Sequence, residues 1–121
     1  MAEKRTAACR YPSKYDPDRW VTASQHLAEV LCERRARAEG RTLPFWFWTK
    51  PYWADVYRRQ VVAANRLIKR LDPDNTGTGA AAILAFLRSE QGKTCYSLMG
   101  AWVVPLVQAA HKAILSKLEG L

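Results

Sequence analysis

Five cationic residues in the middle of the chain recur at the spacing of one helix face. They are Arg58, Arg59, Arg66, Lys69 and Arg70. At about 100° per residue, they occupy roughly a third of a helix circumference and extend about 18 Å along its axis. The opposite side carries an apolar stripe from Trp53 to Leu71, and no acidic residue occurs from Val56 to Leu71. We call this cationic surface the basic face.

The uniform sign of the basic face indicates a binding surface. Solvated helix faces usually mix signs, because opposite charges at positions i and i+4 stabilise a helix and like charges oppose it. The helix predicted upstream follows that rule, since Glu33 precedes Arg37 by four residues. Phosphates repeat about every 3.4 Å along one strand of a duplex, so the basic face is long enough to span several of them. The sequence therefore predicts a protein that binds nucleic acid, either DNA or RNA.

Neighbouring residues extend the predicted interface. Asn65 lies at the edge of the basic face, where its amide can reach a base edge or a phosphate. Three further cations widen the positive field, namely Arg35, Arg41 and Lys50. Trp46 and Trp48 are candidates for base stacking or for contact with a protein partner, since adjacent aromatics from Phe45 to Trp48 cannot all point inward. Because most of these contacts involve phosphates, we expect low sequence specificity.

The net charge of the chain is +8 at pH 7, and the excess is local. Residues 41–71 carry seven cations against Asp55 alone, whereas residues 72–121 carry four charges of each sign. A basic balance of this size favours polyanionic partners. The distribution assigns that preference to the segment that holds the basic face.

Two other classes of function stay open on the sequence alone. The main alternative is a helical accessory or structural subunit of a larger assembly, which can itself contain nucleic acid. In that case the basic face and the aromatic segment would contact proteins. Peripheral membrane binding through the same helix would need Trp53 and Tyr57 at the lipid interface, but their positions commit them to the apolar stripe. We therefore expect no membrane partner.

Residues with catalytic or metal-binding potential form no recognisable constellation. A calcium-binding pattern of the EF-hand type begins at Asp72 but fails where Ile83 replaces the required bidentate glutamate. The cysteines and histidines lack the close spacing of zinc ligands. Gly77 and Gly79 could bring backbone amides to a phosphate at the start of the third helix, although the lysine of a P-loop is absent. We expect no enzyme activity, no metal and no cofactor.

Cysteine usage and hydropathy predict a soluble protein of the cytoplasm. Three widely spaced cysteines do not form a disulfide framework, which favours a reducing compartment. The N-terminus lacks the apolar stretch of a secretory signal. The longest apolar run, Leu98–Val107, is about half the length that a membrane span needs.

Hydrophobic periodicity predicts an all-α fold with four helices. We expect a single helical domain over residues 22–121, preceded by a polar extended arm over residues 1–21. The first helix begins at Thr22, which has capping-box spacing with Gln25. It ends before Gly40, which suits a left-handed terminating position.

The remaining helices are predicted from caps, breakers and apolar spacing. Thr49 caps the second helix, which runs to about Leu71 before a run of turn-forming residues. The third helix is predicted over Ala80–Glu90 and the fourth over about Trp102–Leu118. The connection between them allows one short β segment near residues 94–96.

Overall fold

The computed structural model describes residues 9–120 of the chain. Within them, four α-helices account for most of the structure, and two short strands form an antiparallel pair. The elements are β1 (Tyr11–Pro12), β2 (Trp20–Val21), α1 (Ala23–Ala38), α2 (Pro51–Leu71), α3 (Thr78–Arg88) and α4 (Val103–Glu119). The prediction of a mostly helical fold with four helices is confirmed. Across these residues, no helix combines the length and the apolar character needed to cross a membrane.

The chain divides into two compact units, Met1–Val62 and Ala63–Leu121, and α2 contributes residues to each. The first unit holds the strand pair, α1 and the first part of α2, and the second holds the rest of α2 with α3 and α4. Residues 9–21 of the predicted arm belong to the first unit, and its residues 1–8 lie outside the described part of the chain. The prediction of a single helical domain over residues 22–121 stays a prediction.

From residue 9 onward, the arm folds back on itself as a hairpin instead of running on as a tail. Tyr11 on β1 lies opposite Val21 on β2. Between the strands, the Ser13 hydroxyl accepts hydrogen bonds from the backbone N–H groups of Tyr15 and Asp16, at 3.2 and 3.1 Å. Serine hydroxyls commonly stabilise turns in this way, so local side-chain chemistry brings the two strands together.

The buried carboxylate of Glu29 attaches this hairpin to α1. It accepts a hydrogen bond from Ser13 Oγ at 2.8 Å and another from the backbone N–H of Lys14 at 3.2 Å. Burial raises the pKa of Glu29, and these two hydrogen bonds oppose the rise. One helical turn later, Glu33 accepts a hydrogen bond from the Tyr15 hydroxyl. Polar groups on α1 therefore hold the arm in place.

The predicted ends of α1 are confirmed. Thr22 Oγ1 accepts a hydrogen bond from the backbone N–H of Gln25 at 3.2 Å, and Gln25 Oε1 accepts one from the backbone N–H of Thr22 at 3.0 Å. These reciprocal bonds are the capping box, which satisfies two backbone donors at the helix start. Beyond the C-terminus of α1, Gly40 has a φ of 68°, in the left-handed region.

Phe47 is completely buried and belongs to the hydrophobic core of the first unit. Its ring makes edge-to-face contacts with Tyr15, Trp53 and Tyr57, at centroid distances of 5.3, 6.2 and 5.4 Å. Aromatic rings favour this geometry because the positive edge of one meets the negative face of the other. Cys32 of α1 belongs to the same cluster, so the core joins the arm, α1 and the start of α2.

The predicted N-terminal cap of α2 is wrong. Thr49 closes a short 3-10 turn over Phe47–Thr49, and its hydroxyl donates to the carbonyl of Trp46 at 2.7 Å. The backbone carbonyl of Lys50 instead accepts from the N–H of Ala54 at 2.9 Å. Because proline has no N–H, Pro51 at the first helical position leaves one donor fewer to be capped.

In the second unit, α3 packs against α4. The large side chains that the two helices bury are Ile83, Phe86, Leu87, Val103 and Val107. The β segment predicted near residues 94–96 is wrong, because Thr94 lies in a turn and residues 94–96 pair with no strand of the described chain. The backbone N–H of Cys95 donates to the carbonyl of Gly92 at 3.0 Å and closes that turn.

The buried carboxylate of Asp72 connects the end of α2 to the start of α3. Its Oδ1 accepts hydrogen bonds from the backbone N–H and the hydroxyl of Thr76, both at 2.8 Å. Its Oδ2 accepts from the backbone N–H groups of Gly77 at 2.9 Å and Gly79 at 3.3 Å. A Cβ on Gly79 would lie 2.8 Å from the Cβ of Asp72, so glycine permits this close approach. Burial by itself raises the pKa of Asp72, but the hydrogen bonds from Thr76, Gly79 and Gly77 outweigh it and the pKa is lowered.

Replacing Asp72 with asparagine should destabilise the protein at neutral pH by about 2 kcal/mol, because an amide nitrogen would face backbone donors. The lowered pKa means that the stabilisation is present above the unfolded value of about 3.9 and is lost as pH falls through the folded value. Urea unfolding at neutral pH and at about pH 3 measures this dependence. The wild type should lose part of its advantage over D72N at about pH 3, because the loss begins below the unfolded pKa and is complete only below the lowered folded pKa.

The matched control is Asp74→Asn in the same turn, because the Asp74 side chain is exposed. It should leave the free energy of unfolding unchanged at neutral pH. Equal destabilisation by the two substitutions would contradict the role given to the Asp72 carboxylate.

Candidate nucleic-acid interface

Helix α2 leaves its basic face in solvent and buries the opposite side. All five cations of the basic face are exposed, as the helical spacing predicts. On the other side, Trp53 and Gln60 are buried in the first unit, and Ala64 and Leu67 are buried in the second. Gln60 is a polar member of the stripe that hydropathy does not reveal. The amphipathic pattern therefore determines which side chains of α2 a ligand can reach.

Asp55 neutralises part of the basic face in the first unit. Its Oδ1 lies 2.8 Å from Nη2 of Arg58, and its Oδ2 lies 2.9 Å from Nε of Arg59. Positions i+3 and i+4 from a carboxylate are the helical neighbours that form such pairs. The pairing of Asp55 with Arg58 and Arg59 was therefore predictable from the sequence. Both pairs are exposed to water, where ion pairs contribute little stability. Asp55 thus lowers the local positive charge and contributes little to the stability of the fold.

The unbalanced charge of the basic face lies in Arg66, Lys69 and Arg70, which we call the cation cluster. All three side chains are exposed, and no carboxylate within residues 9–120 forms an ion pair with them. Lys69 and Arg70 occupy the last turn of α2, where the helix dipole favours positive charge. Asn65 is exposed and directly precedes the cluster in the sequence. The cluster is the part of α2 best placed to attract an anion.

Two of the outlying cations share the carboxylate of Glu39. It lies 3.4 Å from Nε of Arg35 and 3.6 Å from Nε of Arg41. The Tyr52 hydroxyl donates to the same carboxylate at 2.8 Å, and the Arg41 guanidinium lies 4.8 Å from the centre of the Tyr52 ring. The hydrogen bond from Tyr52, with Arg35 and Arg41, lowers the pKa of Glu39. This one carboxylate therefore balances part of the positive charge of Arg35 and Arg41.

Lys50 differs from these two cations. Its side chain is exposed, and it takes part in no ion pair within the described part of the chain. It directly follows the 3-10 turn and precedes the first residue of α2. Of the three cations predicted to widen the field, Lys50 is the least neutralised.

The aromatic segment that precedes α2 divides between solvent and core. Phe45 is 53% exposed and Trp46 is 48% exposed, whereas Phe47 is completely buried. Trp48 is half-buried, with its ring 5.0 Å from that of Phe47 and 5.5 Å from that of Tyr57. The expectation that these four adjacent aromatics cannot all point inward is confirmed. Of the two predicted contact residues, Trp46 presents the larger free ring surface, because Trp48 packs against the core.

The backbone of Trp46 has an unusual conformation for a bulky residue. Its φ of 52° and ψ of 38° lie in the left-handed region, which costs an L-residue about 1–2 kcal/mol. Its N–H donates to the carbonyl of Tyr15 at 2.8 Å. Its own carbonyl accepts from the backbone N–H of Thr49 at 3.0 Å and from the Thr49 hydroxyl at 2.7 Å. Three hydrogen bonds therefore hold the ring-bearing residue in a strained geometry.

Three further features bear on chemistry outside the basic face. The idea that Gly77 and Gly79 offer amides to a phosphate is wrong, because those N–H groups already donate to the Asp72 carboxylate. Burial raises the pKa of Cys32 to about 12, so its thiol stays protonated at neutral pH and is a poor nucleophile. Among residues 9–120, no group of three histidine, cysteine or acidic side chains could hold a metal ion.

No protein-family model, curated protein or solved structure matches the chain. The two features that bear on the function of the protein are the cation cluster of the second unit and the exposed rings of the first.

At an ordinary helical position, alanine gives a more stable protein than glycine. Because the backbone at position 46 is left-handed, we expect the reverse order there. Trp46→Gly should be more stable than Trp46→Ala by about 0.5–1 kcal/mol, because only glycine adopts a positive φ without strain. At Ala54, an exposed position in the regular helix, Ala54→Gly should instead lower stability by about 1 kcal/mol. Urea unfolding of W46G, W46A and A54G measures whether glycine is more stabilising than alanine at position 46 and less stabilising at position 54. Greater stability of W46A than of W46G would show that Trp46 is not held in the left-handed region.

Proposed function

We propose that the protein is a non-enzymatic nucleic-acid-binding protein that contacts phosphates of DNA or RNA through the basic face of α2. The observation that carries the proposal is the cation cluster, in which three exposed charges of one sign lie within five residues of one helix without an acidic partner in the described chain. The helix dipole favours Lys69 and Arg70 in the last turn, but like charges at helical spacing oppose each other, so Arg66 lies close to two cations that repel it. Phosphates relieve this repulsion when they bind.

Binding to phosphates would also give the basic face a source of affinity for nucleic acid. Cationic side chains displace counterions from the nucleic-acid backbone, and the release of those ions favours association. Arginine suits this role because its planar guanidinium can bind two phosphate oxygens at once. Arg66 and Arg70 lie four residues apart, so they project from adjacent turns of the same face. The spacing allows each to meet a different phosphate.

We expect little sequence specificity from this interface. Phosphate contacts position a protein on its ligand without reading the bases. Asn65 at the edge of the basic face is the side chain with the chemistry to contact a base edge. Arg58 and Arg59 contribute less charge than the cation cluster because they share Asp55. Lys50, Arg41 and Arg35 complete the proposed set of contacts.

A cytoplasmic location is consistent with this proposal. No disulfide joins Cys9, Cys32 and Cys95 in the described part of the chain, as expected for a reducing compartment. Nucleic acids of the cytoplasm would be accessible to a small basic protein there.

A role as an accessory subunit is the second candidate function, and an apolar surface in the second unit favours it. Tyr96, Met99 and Trp102 are 45%, 59% and 53% exposed. They lie in a stretch, Thr94–Ala110, that contains no charged residue. Exposed aromatic and methionine side chains are typical of protein interfaces, where charged residues are depleted. In such an assembly, the basic face would meet an acidic protein surface.

Charge reversal of the cation cluster separates the two functions. The triple variant Arg66→Glu, Lys69→Glu and Arg70→Glu should weaken binding to labelled single- or double-stranded DNA by about 100-fold or more at low salt. Fluorescence anisotropy measures the affinity, and the helical circular-dichroism signal should stay unchanged.

The matched control reverses three other exposed cations of the second unit, Arg88, Lys112 and Lys117. It changes the net charge by the same amount and should cost much less affinity. Equal losses in the two triple variants would assign binding to the overall charge instead of the basic face. An absence of binding by the wild type would favour the accessory-subunit function.

Neutralising Asp55 should have the opposite effect on affinity. Asp55→Asn frees the guanidinium groups of Arg58 and Arg59 and should strengthen DNA binding about two- to five-fold, as expected for one charge near the protein surface. The control is Glu90→Gln, because Glu90 is also exposed and pairs with Lys93 at 2.8 Å. It should leave the affinity nearly unchanged. Weaker binding by D55N than by the wild type would contradict a contact between phosphates and this part of α2.

A further inference from the structure

Phe45 and Trp46 form an exposed pair of rings in the first unit. Their ring centroids lie 6.0 Å apart, and their planes meet at 83°. About half of each side chain is exposed to water, although Phe47 beside them is fully buried. A tryptophan ring offers a flat surface of the size of a nucleobase, and stacking on such rings is tolerant of base identity.

We propose that Trp46, with Phe45 beside it, stacks against unpaired bases, so that the ligand class of the protein is single-stranded DNA or RNA. In a duplex, both faces of each base are covered by neighbouring base pairs, and only unpaired or splayed bases can stack on a side chain. The inference rests on the proposed function, because phosphate contacts bring the strand to the protein. It adds that the nucleic acid is single-stranded, because the basic face by itself would suit single or double strands.

The fixed backbone of Trp46 supports this role. The N–H of Trp46 is bonded to the carbonyl of Tyr15, and its carbonyl is bonded twice by Thr49. Tyr15 is itself held by its hydroxyl bond to Glu33 and by its ring contact with Phe47. The ring is therefore attached to an ordered part of the first unit, and binding orders few additional groups. Preorganisation of this kind lowers the entropic cost of binding.

The charge of the surrounding sequence favours a polyanion over a protein as the ligand of these rings. Lys50 follows Trp46 by four residues, and its side chain is exposed without an ion pair in the described chain. Residues 39–59 carry four cations and two carboxylates, those of Glu39 and Asp55, so the segment keeps a net positive charge. A strand whose bases stack on Trp46 would bring its phosphates into this positive field.

The test compares Trp46→Ala with the wild type on three labelled probes of about 15 nucleotides. They are an oligothymidine, an abasic strand that keeps only the sugar–phosphate backbone, and a duplex. We expect W46A to weaken binding to the oligothymidine about ten-fold, which corresponds to about 1.4 kcal/mol. Affinities for the abasic strand and for the duplex should not change, because neither offers an unpaired base.

Three further variants keep the test decisive. Trp46→Phe retains a ring and should recover most of the lost affinity. Trp46→Gly removes the ring without backbone strain, so it replaces W46A if that variant fails to fold. Trp102→Ala removes a similarly exposed tryptophan in the second unit and should bind the oligothymidine like the wild type.

Each contrary outcome has a distinct meaning. If W46A binds the oligothymidine as tightly as the wild type, stacking is refuted while phosphate binding by the basic face survives, and the rings are left for a protein partner. If W46A loses affinity equally for all three probes, the ring acts on the fold and the inference is also refuted. If the wild type binds none of the probes at low salt, the proposed function fails and the inference fails with it.

Discussion

Helix α2 has to bury one side and leave the other in water, and the proposed function depends on that constraint. Its helical period places Trp53 in the core cluster of the first unit, and Ala64 and Leu67 are buried in the second. The same period leaves the five cations of the basic face exposed. Burial of the apolar side supplies the stability of the helix. The cations are therefore free to serve a ligand instead of the fold.

Individual carboxylates then determine which cations keep an unbalanced positive charge. Asp55 balances part of the charge of Arg58 and Arg59, and Glu39 does the same for its two arginine neighbours. Asp72 accepts the backbone donors at the start of α3, which removes that helix end as an anion site. The cation cluster keeps its charge because no acidic side chain in the described chain pairs with it. Net charge alone would not have separated these regions.

Much of the fold follows from local sequence rules. The capping box that begins at Thr22, the left-handed Gly40 and the end of α2 are all readable from residue type and spacing. The rules fail where a competing contact replaces the expected one. Thr49 could cap a helix, but its hydroxyl bonds back to the carbonyl of Trp46. The position of the arm shows a second limit, because its attachment to α1 depends on Glu29, which is distant in the sequence and is buried.

The candidate site was predictable to a similar extent. Helical spacing alone identified the exposed cations of α2, and it also contained the pairing of Asp55 at i+3 and i+4. The exposed position of Trp46 could not be derived, because nothing in a run of adjacent aromatics says which ring leaves the core. Its left-handed backbone depends on a hydrogen bond to Tyr15, a residue of the arm that no local pattern connects to it.

The salt dependence of nucleic-acid binding by the wild-type protein tests the central claim most directly. The affinity for a labelled oligothymidine would be measured between about 50 and 200 mM salt. If three to five phosphates are neutralised, the logarithm of the association constant should fall linearly with the logarithm of the salt concentration, and affinity should drop about 20- to 100-fold over that range. Affinity that does not change with salt, or no binding at about 50 mM, would contradict the assignment of the basic face to phosphates.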